Sequence, residues 1–295
     1  MQEDKNSQNA QEKVEEILQK LAKKYEDYTD PWGFDFKTCE KALRILYPIY
    51  HNYFKVRVFG QENVENKPYM LVSNHSGQLP IDGILITIAF AVEMNEPRIV
   101  RGMVERFLAG LPFLGKLTAE LGSVLGDRKN CNYLLERKES ILVFPEGVRG
   151  VSKNTKDYYK LQKFTTGFFR LAIKNKIDIL PIAVIGAEEM YPLVFQAKKL
   201  ANFLKLPALP IAPFGFFPLP SPIDIYIGEP YKIPEDLSSE APDSIIREHV
   251  YRVESKIKLL MAKGLKDRRP FLDDIRIPMK NYFRELHKHY GEKTE

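Results

Sequence analysis

YMLVSNHSGQLPIDGILITIAFAV, residues 69–92, decides how the chain is read. Tyr69–Ser73 is a short apolar run of strand type that ends in the polar stretch NHSG. Pro80 suits a helix start, because its ring presets φ and its missing N–H is one that a first turn leaves unpaired anyway. ILITIAFAV continues that helix with Asp82 in its first turn, so Asn74, His75 and Ser76 fall at the end of a strand. Outward from this unit, strand-like runs recur at Val56–Phe59, Arg98–Arg101, Gly122–Leu125, Ile141–Phe144, Ile179–Ile185 and Ile223–Ile227. Helical or amphipathic runs separate most of them. The alternation predicts an α/β fold with a mixed, largely parallel central sheet flanked by helices. Functional loops then gather at the carboxyl ends of the strands.

The flanks are helical. Val14, Ile17, Leu18, Leu21 and Tyr25 repeat at helical spacing, and Asp30-Pro31-Trp32-Gly33 ends that helix. A second helical stretch runs from Lys37 to Tyr53. The expected organisation is a disordered tail at 1–10, an N-terminal helical region at 11–54 and a central α/β domain at 55–235. A C-terminal helical region at 236–295 packs on that domain, its helix running from Ser244 to about Lys263.

With 295 residues the chain can bury a large core. Its 44% hydrophobic and 28% charged content excludes global disorder. A net charge of +5 favours phosphate or anionic-lipid partners over no partner only slightly, and a solvated surface with some excess lysine accounts for it equally well. No nucleic-acid partner is expected. Cys39 and Cys131 are far apart and match no CxxC or zinc-ligand spacing, so neither a disulfide framework nor a metal is expected. The first residues are polar and acidic and lack the apolar core of a secretory signal. No stretch reaches the roughly 18 uninterrupted apolar residues that a spanning helix needs. Leu200–Pro222 is apolar, aromatic and rich in proline. It reads either as an interfacial segment whose aromatic residues enter lipid while Lys198, Lys199 and Lys205 meet head groups, or as a loop over an apolar pocket. Phe107–Gly115 carries the same two readings.

Chemistry centres on His75. Histidine has an ordinary pKa of about 6.5, so near neutrality much of it is free to accept a hydroxyl proton. A carboxylate such as Asp82 can take the other ring N–H, which fixes the tautomer and stabilises the imidazolium. A second loop, Phe144-Pro145-Glu146-Gly147, follows the strand-like SILVF. The chain has no GxSxG elbow, so direct attack by an acceptor is preferred over an acyl-enzyme.

Four blocks in this order resemble the glycerolipid acyltransferase superfamily, which includes lysophosphatidate and glycerol-3-phosphate acyltransferases. NHSGQLPID is similar to the first block, and the resemblance implies His75 as base and Asp82 as its orienting carboxylate. GSVLGDR, from Gly122 to Arg128, is similar to the second, implying a substrate-binding Arg128. FPEGVRG resembles the third, in which Glu146 and Gly147 help hold the acceptor and Arg149 meets phosphate. Ile179-Leu180-Pro181-Ile182 resembles the fourth, a buried strand beside the acyl pocket. Asn74, Gly122, Pro145 and Pro181 are accordingly pocket or structural positions. The family usually leaves four residues between histidine and aspartate, whereas six separate His75 from Asp82, which implies a two-residue bulge. Val148 and Gly150 stand where hydroxyl residues are common. These two changes leave a lysophospholipid, a glycerol phosphate and a neutral acylglycerol all open as acceptors.

The implied activity is O-acyl transfer without a cofactor, with acyl-CoA or acyl carrier protein as co-substrate and membrane lipids as partners. The implied location is peripheral or monotopic on the cytoplasmic face of a membrane. Arg101 and Arg106 could line the mouth of the site. Lys153, Lys156, Lys160 and Lys163 could meet the phosphates of the donor or form a solvated helix face. A catalytically idle lipid-binding protein on the same fold, or a thioesterase or lipase-like hydrolase, are the alternatives.

Overall fold

The computed structural model describes residues 2–76, 79–110, 113–191, 195–197, 210–211 and 217–269. Its strands are β1 (Arg57–Phe59), β2 (Met70–Ser73), β3 (Arg101–Val104), β4 (Val124–Leu125), β5 (Ile141–Val143), β6 (Ile179–Ile185), β7 (Phe195–Gln196), β8 (Pro210–Ile211) and β9 (Asp224–Ile227). Seven of them form one sheet in the order β1-β9-β6-β2-β5-β3-β4, and β7 pairs with β8 apart from it. Strands β6, β2, β5, β3 and β4 run parallel, while β9 is antiparallel to β6 and parallel to β1. The sheet is mixed and largely parallel, as the alternating runs predict.

Helices cover both faces: α1 (Gln2–Tyr25), α2 (Phe36–Pro48), α3 (Ile81–Val92), α4 (Arg106–Ala109), α5 (Leu114–Glu120), α6 (Arg128–Glu136), α7 (Val148–Val151), α8 (Gly167–Asn175) and α9 (Asp243–Lys266). Successive strand residues point to opposite faces, so β6 sends Leu180, Ile182 and Val184 into one core and Ile179, Ala183 and Ile185 into the other. The first core lies under α1, α2 and α3, where α1 contributes Val14, Ile17, Leu18, Leu21 and Tyr25. The second lies under α6, α8 and α9, where Ile246, Val250, Val253, Ile257 and Met261 form one buried stripe. Cys39 and Cys131 are both free and buried, and burial pushes their thiols up to about 12 and about 11.

Two expectations need correction. Helix α1 begins at Gln2, so residues 2–10 are helical rather than a disordered tail. Arg101 is the first residue of β3 rather than the last of its strand, because the N–H of Ile99 goes to the Tyr25 hydroxyl (3.1 Å) and not to a neighbouring strand.

Nor does Arg101 line a site mouth. It is fully buried and donates to the Gly122 carbonyl (2.7 Å), the Tyr28 hydroxyl (2.8 Å) and the Asp30 carboxylate. Gly122 has φ +90°, and a Cβ there would stand 3.2 Å from Arg101 Nε, so glycine both permits the turn and makes room for the guanidinium. Asp30 also accepts the N–H groups of Trp32, Gly33 and Phe34. The turn that ends the N-terminal helix is therefore clamped onto the sheet edge.

Candidate active site

The site begins where β2 runs out. Asn74 is buried, and its side chain continues the ladder to β6: Nδ2 donates to the Val184 carbonyl (3.1 Å) and Oδ1 accepts the Val184 N–H (2.8 Å). Its amide thus replaces the main-chain pairing while the chain turns away, and His75 emerges at the carboxyl edge of the sheet.

His75 Nδ1 lies 2.8 Å from Asp82 Oδ2. The same oxygen accepts the Ser76 N–H (2.8 Å), and Oδ1 accepts the Gly83 N–H (2.8 Å). Asp82 is buried in the first turn of α3, where unpaired N–H groups and the helix dipole favour a carboxylate. The longer spacing therefore still brings the aspartate to the histidine. Residues 77 and 78 of the expected bulge lie outside the described residues. With Nδ1–H directed at a carboxylate, Nε2 is the ring nitrogen left with a lone pair for chemistry. The imidazole stacks on Phe144 at 4.0 Å between centroids and 16° between planes. A Cβ at Gly83 would lie 3.4 Å from Phe144, so its missing side chain lets α3 approach that ring.

The loop after β5 faces inward. Glu146 Oε1 accepts the backbone N–H of His75 (2.7 Å), and Oε2 accepts the Gln162 N–H (2.6 Å). Glu146 is only 1% exposed, and its carboxylate ties the β2 and β5 loops together behind the histidine. Gly147 adopts φ +59° and ψ −151°, a conformation essentially confined to glycine. Pro145 is buried, and its carbonyl accepts the Thr165 N–H (3.1 Å). Pro181 is buried within β6 opposite Val72.

Arg128 and Arg149 are exposed and follow the carboxyl ends of β4 and β5, the edge that also carries His75. Arg149 donates to the Lys163 carbonyl (2.9 Å) and the Glu146 carbonyl (3.4 Å). Arg106 is exposed at the start of α4. Lys156, Lys160 and Lys163 are exposed on a 3-10 turn and irregular chain rather than on a helix face. Lys153 is different. Its side chain is 3% exposed and its ammonium lies 2.9 Å from Glu188 Oε1, so it neither faces solvent nor reaches for a donor phosphate. Sequence reasoning missed Glu188, although an acidic pair directly after the apolar strand β6, in GAEEM, was the available signal.

Gly150 carries more than a lost hydroxyl. A Cβ there would stand 2.6 Å from His75 Cβ and 3.1 Å from Glu146 Cβ, so α7 presses directly on the histidine. Alanine ordinarily stabilises a helix by roughly 0.5–1 kcal/mol over glycine, but overpacking costs about 1–3 kcal/mol. The clash decides the sign: Gly150→Ala is expected to lower both the melting temperature and turnover. Wild-type values of both would show that the contact yields freely.

The site thus holds a histidine oriented by a buried aspartate at the carboxyl edge of the parallel strands. The acyltransferase family model matches residues 55–185, from just before β1 to the end of β6. An uncharacterized protein of Mycobacterium tuberculosis is 33% identical over 231 residues, which are 75% of this chain, and the chain spans 64% of that relative's length. A 1-acyl-sn-glycerol-3-phosphate acyltransferase of Saccharomyces cerevisiae is 29% identical over 140 residues, 44% of this chain and 42% of the yeast protein. A Gallus gallus DGAT1/2-independent enzyme synthesizing storage lipids is 25% identical over 195 residues, 65% of this chain and 56% of the chicken protein. The crystal structure of the 1-acyl-sn-glycerophosphate acyltransferase PlsC of Thermotoga maritima aligns with a TM-score of 0.48 and 19% identity, covering 78% of this chain and 83% of that one. Residues 55–185 thus match the acyltransferase family, and the chain is similar there to PlsC-like glycerolipid acyltransferases.

Proposed function

We propose that the protein transfers a fatty acyl group from a thioester, acyl-CoA or acyl carrier protein, to the hydroxyl of a glycerolipid-type acceptor. His75 is the general base. Its Nε2 takes the hydroxyl proton as the oxygen attacks the thioester carbon, with Asp82 stabilising the imidazolium. The C–O ester bond forms, the C–S bond breaks, and the imidazolium returns the proton to the departing thiolate. The observation that carries this reading is the 2.8 Å contact between His75 and Asp82 at the sheet's carboxyl edge. Purified protein mixed with labelled acyl-CoA or acyl carrier protein and a panel of lipid alcohols tests it, with products identified by mass spectrometry. Ester formation supports transfer. Free fatty acid alone points to a hydrolase, and silence across donors and acceptors points to an idle lipid-binding protein.

A second reading concerns the acceptor. Val148 and Gly150 offer no hydroxyls, and Arg149 already donates to two backbone carbonyls, which together favour a neutral acylglycerol. If the acceptor bears phosphate, Arg128→Ala and Arg149→Ala are expected to raise its KM, since a charge-assisted pair is lost. An unchanged acceptor KM in both variants favours the neutral lipid.

Peripheral attachment to a membrane accompanies either acceptor. No helix of the described residues is long and apolar enough to cross a bilayer. Leu200–Pro222 lies mostly outside the described residues, but Phe217 within it is exposed. Ile45, Phe113, Leu114 and Leu117 are also exposed, on or beside α2 and α5, which pack together. Liposome flotation of a Phe113→Ser/Leu117→Ser variant measures their part, and unchanged flotation would remove them from the membrane face.

A further inference from the structure

We infer that Lys153 and Glu188 are a positioning pair that fixes the main chain of His75; the inference rests on the acyl-transfer reading above. Lys153 follows α7, and Glu188 lies in the 3-10 turn Ala187–Met190 that follows β6. The Lys153 ammonium stands 2.9 Å from Glu188 Oε1, 3.5 Å from Glu146 Oε2 and 3.3 Å from the carbonyl oxygen of His75. The three charged side chains are almost wholly buried. Both polar groups of His75's main chain are thereby held. Its carbonyl accepts from Lys153 directly, and its N–H donates to Glu146, whose second oxygen faces the same ammonium. The other oxygen of Glu188 accepts the N–H of Tyr159, which anchors the pair to the chain between α7 and α8.

A role in mere stability fits these groups poorly. Buried ion pairs often stabilise no better than well-packed apolar residues of equal size, because desolvation consumes the attraction. Burial alone would push the Lys153 ammonium down. Glu188 and Glu146 more than offset it, and the pKa lies above the ordinary lysine value, so the lysine is charged at neutral pH. Burial pushes the Glu188 carboxyl up, with Lys153 pulling the other way. What the cluster supplies is geometry: one ammonium gathers the loops after β2, β5 and β6 at the point where His75 must present Nε2. Lys153 reaches the site through the His75 carbonyl and acts through His75.

The test uses the full chain with Lys153→Met, Glu188→Gln and the two combined. Lys153→Met leaves Glu146 and Glu188 facing each other without a cation, and that variant is prone to misfold. The double variant removes one carboxylate together with the ammonium and so restores the net charge of the cluster. It is expected to melt close to wild type and to lose on the order of tenfold to a hundredfold in kcat, the cost of a small misplacement, with both KM values nearly unchanged. Glu188→Gln alone, which keeps the lysine, is expected to fall between the two. In the same proteins the NMR titration of the His75 ring is expected to shift, a readout that needs no turnover. A folded double variant with wild-type kcat and an unaltered His75 titration overturns the inference. If wild-type protein transfers no acyl group to any acceptor, the functional reading fails. The His75 titration then decides this inference alone: a shift supports it, and no shift overturns it.

Discussion

His75→Ala is expected to lower acyl transfer by on the order of a hundredfold to ten-thousandfold, the range typical for loss of a general base. The fold should survive the change. Among its ring contacts are Asp82 and Phe144, and Asp82 keeps the N–H groups of Ser76 and Gly83 when the imidazole is gone. Asp82→Asn should be nearly as damaging. An amide cannot stabilise the imidazolium, and its NH₂ would meet either the ring N–H and the Ser76 N–H together or the Gly83 N–H, donor against donor. The measurement is kcat/KM with a labelled thioester, beside a melting curve for each variant. A folded His75→Ala protein that turns over like wild type would sink the mechanism. A silent Asp82→Asn would detach the aspartate from catalysis.

Asp30→Ala is expected to cost about 3–5 kcal/mol of stability, because it leaves the buried Arg101 guanidinium without its counter-charge. The side chains of Arg101 and Asp30 are 1% and 0% exposed. The substitution also removes the acceptor of three main-chain N–H groups. Equilibrium urea unfolding gives the loss, and a midpoint within error of wild type would mean that the clamp contributes little. The pair has a signature in pH. Burial pushes the Asp30 carboxyl up, but the Phe34 N–H and the Arg101 guanidinium outweigh it and hold its pKa below the ordinary value. A carboxyl depressed in the folded state contributes stability above its unfolded pKa of about 3.9 and loses it as pH falls through the folded value. The gap between wild type and Asp30→Asn is therefore expected to be full at neutral pH and to close below about pH 4.

Local pattern carried much of the architecture. Six of the seven runs read as strands contain a strand of the sheet, since short apolar runs stand out, whereas Arg98–Arg101 meets β3 only at its last residue. The His75–Asp82 pair was legible because both residues flank one strand-to-helix turn. Partners distant in sequence were not. Lys153 sat among four lysines and looked like surface, and only the fold brings it to Glu188, 35 positions on, and to His75, 78 positions back. Arg101 read as a strand end open to solvent, because nothing in the run around it reveals Asp30 and Tyr28, more than 70 positions earlier. Gly150 read as a missing hydroxyl, while its absent side chain matters for what lies against it.

The sheet's order has a consequence for how the chain is made. β1 pairs only with β9, and β9 is also the neighbour that covers the outer edge of β6. The ribosome thus delivers β1 some 167 residues ahead of the strand that receives it. During that interval β1 has no partner, and β6, with seven apolar residues, offers an open edge once it is made. Such late closure slows folding and leaves the nascent chain prone to sticking to its neighbours. A chain stopped before Asp224 would already hold His75, Asp82 and Glu146, yet would carry two unclosed edges.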